Sequence, residues 1–330
     1  MTTAAAPLTA SDPWARRIGA WFDERFPAAM VVVGLPTFLA ANLVGQVAGR
    51  DPSTPPTVRL DLRLIGGWLA AVGFLLCIRI FDEHKDHDDD VRLHPDRLLS
   101  RGVVRLRELD AIQVVVLAGI VAVCWWFDRG CGAAFATFGI AFGWLLLMRV
   151  EFFVGRWLRP RIVLYAVSHA VVTPLAAWWM FTTGAGRIAA PRILVPFLVA
   201  AYCSSLLFEL ARKLLPPADE REGVATYSSA LGPDRAARLT AALVMAHALA
   251  VTLELAWLPG ARSAIEPWLW AHLLGLVALA ATLALGAFAR RPDAETHRPL
   301  EALVGLNLLV PAVAIVTVVL VRADVAWGWA

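Results

Sequence analysis

The chain has 330 residues, 59% of them hydrophobic, with 14 Trp and a mean hydropathy of +0.64. A water-soluble protein of this length does not carry so many long uncharged runs, so its solvent is lipid. The formal charge of +3 provides no basic surface for nucleic acid, and the four cysteines, with no CxxC pair, give neither a disulfide framework nor a thiolate metal site.

Residues 1–27 form a cytoplasmic, interfacial segment. Trp14, Ile18, Trp21, Phe22 and Phe26 recur near helical spacing with Arg16, Arg17, Asp23 and Glu24 between them, the pattern of a helix lying in the headgroup plane. From 28 to 322 the chain predicts an all-α, polytopic bundle of nine transmembrane helices, at about 28–48, 62–81, 110–127, 132–149, 162–182, 191–210, 237–257, 266–289 and 300–321. With the N-terminus inside, 22 of the 30 basic residues fall on inner segments, and Arg50, Arg129, Arg187 and Arg262 are among those left outside. The positive-inside rule therefore predicts a multi-pass protein of the cell membrane with its long loops, 82–109 and 211–236, in the cytoplasm. Segments 49–60, 128–131 and 183–190 read as plain connectors, and Gly139 with Gly143 as a small-residue packing pair. In the first span, Asn42 and Gln46 share a face at i, i+4; they line a cavity, where Asn42 would meet substrate, or bond between helices.

The densest chemistry lies where the second span ends. Six of the nine residues from Asp82 to Asp90 are acids, and Asp82, Asp86 and Asp90 stack on one face if the helix continues. Like charges at that spacing repel, and a helix C-terminus is the less favourable end for acids. Lys85 and Arg79 do not balance six carboxylates, so a hard divalent cation such as Mg²⁺, bound with phosphate oxygens, is the expected compensation.

Asp82-Glu-His-Lys-Asp86-His-Asp-Asp-Asp90 resembles the first acidic motif of the UbiA superfamily of intramembrane prenyltransferases, Asn-Asp-x-x-Asp-x-x-x-Asp. Asp82 stands in place of the Asn and Glu83 in place of the first Asp, while Asp86 and Asp90 match. Arg97-Leu-Leu-Ser-Arg-Gly102 is similar to the Arg-Pro-Leu-x-Ser-Gly that follows, with the Pro lost. More loosely, Asp219-Glu-Arg-Glu-Gly223-Val-Ala-Thr226 followed by Leu231-Gly232 resembles the second motif. Its earlier Asp would fall on Leu215, unless Glu209 takes that place across an insertion holding Pro216 and Pro217.

The resemblance implies a nine-helix UbiA-type fold and an enzyme that ionises an isoprenoid diphosphate and transfers the prenyl group to an acceptor, expected to be aromatic. It implies Mg²⁺ on Asp82, Glu83, Asp86, Asp90 and Asp219. Arg97, Arg101, Arg212 and Lys213 become diphosphate clamps, Tyr227 and Glu209 lie near substrate, and a chamber within the bilayer holds the prenyl chain. Besides this substrate, acceptor and membrane lipid are the implied partners. Aromatic faces stabilise an allylic cation without capturing it, although Trp125, Trp126, Trp178 and Trp179 equally suit interface anchors. Two other readings use the same residues. A UbiA-like terpene cyclase would ionise the diphosphate without an acceptor, and a divalent-metal transporter would use His84, His87 and His94 beside the acids.

Overall fold

The computed structural model describes residues 8–49, 55–260 and 265–328; Arg50 and Arg262 lie outside them. In chain order the helices are α1 Trp14–Arg25, α2 Ala28–Ala48, α3 Leu62–Lys85, α4 His87–Leu93, α5 Leu106–Asp128, α6 Ala133–Arg149 and α7 Gly155–Leu158. They continue as α8 Ile162–Ala170, α9 Val172–Ala185, α10 Leu194–Arg212, α11 Tyr227–Leu231, α12 Pro233–Trp257, α13 Glu266–Arg290, α14 Ala294–His297 and α15 Leu300–Arg322. All nine segments expected to be apolar helices are helical. Among the described residues, seven helical stretches are long and apolar enough to cross a membrane: α3, α5, α8 with α9, α10, α12, α13, and α14 with α15. This is an integral, multi-pass membrane protein. Helix α6, at 17 residues, falls below the ~20 that span ~30 Å of hydrocarbon.

Local chemistry explains the breaks. The expected 162–182 helix divides at Val171, because Pro174 has no N–H for the carbonyl of Ala170. The turn between α5 and α6 is short because Asp128 folds back to accept hydrogen bonds from the backbone N–H groups of Gly132, Ala134 and Phe135 at 3.1, 3.1 and 2.8 Å. Three N–H groups at the start of α6, which have no carbonyl partner within their own helix, are satisfied by one side chain.

The 49–60 segment contains more than a connector. Thr57–Asp61 is strand β1, paired in parallel with β2, Asp324–Gly328, in the register Thr57 to Asp324 through Asp61 to Gly328. The ribbon joins the entry to α3 with the exit from α15, and α2 packs on α15 beside it. The bundle thus has a ribbon end and, at the other end of α3, a cap end carrying the acidic cluster. Arg322 fastens the ribbon end: Nε meets Glu266 Oε1 at 2.9 Å, and Nη1 donates to Leu255 O and Leu258 O at 3.2 and 2.8 Å. A cation on the last carbonyls of α12 is also favoured by that helix's dipole. Arg322→Met is expected to lower stability by roughly 3 kcal/mol, since it removes one partner of a mostly buried pair; thermal unfolding in detergent checks this.

Helices α2 and α9 cross at close range. A Cβ on Gly45 would lie 2.0 Å from Phe181 O, and one on Gly184 would lie 2.0 Å from Asn42 O. Asn42 Nδ2 donates to Thr183 Oγ1 at 3.0 Å, and Gln46 Nε2 donates to Asn42 Oδ1 at 2.9 Å and to Arg59 O at 3.2 Å. These amides therefore bond helix to helix and helix to ribbon. Asn42, expected at substrate, sits toward the ribbon end with its amide engaged in this packing. Gly139 and Gly143, expected to pack, have no neighbour within 4 Å of a built Cβ; the close-packing pair is Gly45 and Gly184.

Candidate functional site

The first cap loop is built by α1. The buried residues Ile18, Trp21 and Phe26 pack against Leu76, Ile80, Leu98, Leu99, Val103 and Leu109, so the helix expected to lie in the headgroups is docked on the protein. Polar contacts fix its position. Arg17 donates to Glu108 at 2.7 and 3.1 Å and to Val103 O at 2.6 Å, and Glu24 Oε2 accepts from the Leu98 N–H at 3.1 Å.

Arg25, at the last turn of α1, then reaches into the acidic cluster. Its Nε lies 2.6 Å from Glu83 Oε1 and its Nη2 lies 3.5 Å from Asp90 Oδ2. Arg79 closes on the same Glu83 oxygen at 2.6 Å. Glu83 is 1% exposed. Expected as a metal ligand, it is enclosed by two guanidiniums, because an acid buried at this depth needs cations around it. Sequence reasoning missed Arg25. Its signal was position: it follows Ile18 by seven and Trp21 by four, which puts it on the docked face of α1. Arg25→Ala is expected to destabilise the cap by about 3 kcal/mol and to expose the α1 to α2 junction to protease, read by limited proteolysis beside a melting curve.

Asp82 and Asp86 remain accessible. Helix α3 ends at Lys85 and Asp86 links it to α4. The Lys85 ammonium lies between Asp82 at 3.1 Å and Asp86 at 3.9 Å, and over the ring of Tyr165 at 5.6 Å. Tyr165 stacks on His169 with centroids 3.9 Å apart. The Asp82 and Asp86 side chains are 37% and 51% exposed. Burial pushes the Asp86 carboxyl above the usual carboxylate range; Lys85 opposes this and the neighbouring Asp82 and Asp90 add to it. Asp90 accepts from Arg97 Nη1 at 2.5 Å, so the expected clamp arginine does stand beside the expected carboxylate. Arg101 does not: its Nη2 donates to Leu8 O at 2.8 Å, on the N-terminal segment. His84 Nε2 faces Asp110 at 2.8 Å.

The second cap loop brings together a different set. Glu209 holds Arg212 at 2.6 Å and Lys213 at 2.8 Å. The backbone N–H of Tyr227 donates to Lys213 O at 3.1 Å, and the buried Tyr227 phenol is pushed up by that burial and by Glu209. Asp219 lies in the short turn Pro217–Asp219 and is exposed, with no side-chain hydrogen bond among the described residues. It is the next residue, Glu220, that turns inward: Oε1 accepts from Thr226 Oγ1 at 2.6 Å, and Oε2 is buried with no partner among the described residues. The two cap loops approach each other at Gly223, where a Cβ would meet Leu93 at 4.0 Å.

Beneath the acids the interior is filled. Phe81 adjoins Asp82, and rings continue downward from Phe81 to Phe142 (6.3 Å), Phe142 to Phe138 (5.6 Å) and Phe138 to Trp179 (5.0 Å), with Phe74 against Trp179 at 5.7 Å. The cavity lined by Phe81, Asp82, Lys85, Leu145, Met148 and Arg149 measures about 10 Å³, enough for one water. The rings run from Phe81, on the wall of this cavity, into the buried core of the bundle. Trp125 and Trp126 are about half exposed and stand outside the column.

Among the described residues no three His, Cys, Asp or Glu side chains converge on a common metal position. Asp82 and Asp86, both hard oxygen donors and both accessible, nevertheless fit Mg²⁺ in the mode that uses one or two carboxylates with substrate phosphate completing the shell.

Comparison with solved structures finds the same fold elsewhere. A digeranylgeranylglyceryl phosphate synthase superposes with a TM-score of 0.58 at 13% identity, over 91% of this chain and 99% of that one. A UbiA homolog from Archaeoglobus fulgidus, solved with GPP and Mg²⁺ and again with Cd²⁺, is 18% identical over 86% of this chain and 96% of that one, with TM-scores of 0.49 and 0.43. At 13% identity the likeness to the synthase is one of fold. No family model and no curated protein sequence matches the chain.

Proposed function

We propose that this chain is a divergent member of the UbiA superfamily and acts as a Mg²⁺-dependent membrane prenyltransferase, moving an isoprenoid from its diphosphate to an aromatic acceptor. The observation that carries the reading is the arrangement at the cap end: accessible Asp82 and Asp86, then Asp90 paired with Arg97, following α3 where Phe81 shares a cavity with Asp82 and begins a series of aromatic rings. The shared fold and the spacing of the first acidic motif support it.

In this reading Asp82 and Asp86 hold the metal, which when bound neutralises the charge that develops on the departing diphosphate. Arg97, oriented by Asp90, donates to the diphosphate as a charge-assisted clamp. Arg212 and Lys213, already gathered on Glu209, offer further cations from the second loop, with Asp219 and Glu220 as its acids. Lys85, between Asp82 at 3.1 Å and Asp86 at 3.9 Å, offsets the repulsion of the two carboxylates that would hold the metal. The rings of Phe81, Phe142, Phe138 and Trp179 present faces to the allylic cation and no nucleophile to trap it. An isoprenoid is far larger than the 10 Å³ cavity, so in this reading the space beside Phe81 widens on binding. The motif loops face the cytoplasm.

The test is turnover by purified protein of geranyl, farnesyl or geranylgeranyl diphosphate with Mg²⁺, with and without a phenolic acceptor. Prenylated phenol supports the reading. Hydrocarbon formed without acceptor would replace transfer by cyclisation, and no diphosphate release under any condition would remove the enzyme reading. Arg97→Ala is expected to weaken donor binding by roughly 10- to 100-fold, the worth of a hydrogen bond to a charged group, and to leave acceptor affinity near wild type. Equal loss of both affinities would contradict the clamp.

A further inference from the structure

Away from the acids, a groove of about 430 Å³ opens between the start of α8 and the end of α11, within the size range of ligand sites. Pro160, Ile162, Leu164, Val167 and Leu231 line it, and Arg161 is the one charged residue on its wall. The guanidinium is fixed in place: Nη1 donates to Trp157 O at 2.5 Å, and the group stacks over the Trp157 ring at 4.3 Å. Arg161 is exposed, and its Nε and Nη2 make no hydrogen bond to protein among the described residues.

The surroundings set the depth and the charge. Residues 149–161 carry Arg149, Arg156, Arg159 and Arg161 against one acid, Glu151, which is held by Arg159 at 2.8 Å. Phe153 and Trp157 on the same loop are 82% and 51% exposed, as aromatic residues at a membrane–water boundary are. From Ile162 to Val167 the groove wall descends roughly 7 Å along α8. A cation therefore stands at headgroup height with an apolar channel leading inward from it.

We propose that this groove is a binding site for one anionic glycerophospholipid of the surrounding leaflet, its phosphate on Arg161 and an acyl chain along Leu164, Val167 and Leu231. Charge complementarity selects this occupant. One guanidinium matches the single charge of a phosphodiester, and basic residues near an anionic leaflet each add attraction. The groove has neither carboxylates to hold a metal nor a second cation for the greater charge of a diphosphate. The site is separate from the acidic cluster and does not depend on prenyl transfer.

Native mass spectrometry of the full chain in neutral detergent, after delipidation, tests this with phosphatidylglycerol, phosphatidylcholine of equal chain length, and geranylgeranyl diphosphate without metal. The expected result is one phosphatidylglycerol retained per chain, on the order of tenfold in preference to phosphatidylcholine, as fits a charge-assisted hydrogen bond. Arg161→Gln should remove the preference, bringing phosphatidylglycerol retention down to that of phosphatidylcholine. Ala230→Trp, at an exposed position of the groove, should weaken retention of both lipids. Equal retention of both lipids by wild type, a preference that survives Arg161→Gln, or retention indifferent to Ala230→Trp each overturns the proposal. So does Arg161-dependent displacement of phosphatidylglycerol by geranylgeranyl diphosphate, which would assign the groove to substrate.

Discussion

Asp86→Ala is expected to reduce turnover by at least ~10²- to 10³-fold, the usual scale for losing one group that stabilises developing charge, while the melting temperature stays close to wild type. The separation of the two effects follows from what Asp86 touches. Its side chain is half-exposed, and its one ion-pair partner among the described residues is Lys85 at 3.9 Å, which keeps Asp82 at 3.1 Å when Asp86 is gone. Nothing buried is left unpaired, so the stability change belongs with surface substitutions, within about 0.5 kcal/mol. Asp90→Ala is a less clean probe. It frees Arg97 and weakens the hold of Arg25, and activity and cap stability should fall together. Wild-type turnover in Asp86→Ala would remove that carboxylate from the chemistry and, with it, the proposed metal position.

Gly184→Leu is expected to be the most disruptive single change in the bundle, costing more than 3 kcal/mol and preventing recovery of folded protein in mild detergent. The obstacle at this position is backbone: the carbonyl oxygen of Asn42 at 2.0 Å, its carbon at 2.9 Å and the Gln46 nitrogen at 3.1 Å. No rotamer change relieves such a clash, so α2 and α9 must separate. That exceeds the ~1–3 kcal/mol of ordinary overpacking, because the Asn42 to Thr183 hydrogen bond and the Gln46 contacts with the ribbon are lost as well. Gly139→Leu is the control. With open space at that position, it should change the unfolding midpoint by little. Comparable losses in the two variants would mean that the α2–α9 crossing is not the tight point of the bundle.

The sequence made the apolar segments readable because each is a local property: a run of hydrophobic residues near the bilayer length, bounded by charge. The first acidic cluster was readable for the same reason, and so was the place of Arg97 in the loop that follows it; that Arg97 pairs with Asp90 came from the structure. What stayed hidden depends on pairs distant in the chain. Arg25 reaches Glu83 and Asp90 across α1 and α3, and this changes Glu83 from a candidate ligand into a residue shielded by arginines. The contrast between Gly139 and Gly184 is of the same kind, since the spacing of small residues does not reveal which neighbour comes close. In the second loop a single peptide step separates exposed Asp219 from inward-turned Glu220, and a motif aligned by one spaced Asp does not resolve that step. Neither strand has a long alternating pattern; each becomes a strand because the other lies next to it.

That two-stranded clasp bears on how the protein is made. Its halves lie near opposite ends of the described chain, so closing it joins residues of very large sequence separation, the class of contact that forms slowly. The helices between β1 and β2 must already be threaded into the bilayer before the register from Thr57 to Asp324 is set. Assembly intermediates should therefore carry an open seam between α2 and α15, and a tag or truncation at residues 324–328 should retard maturation far more than its small footprint suggests.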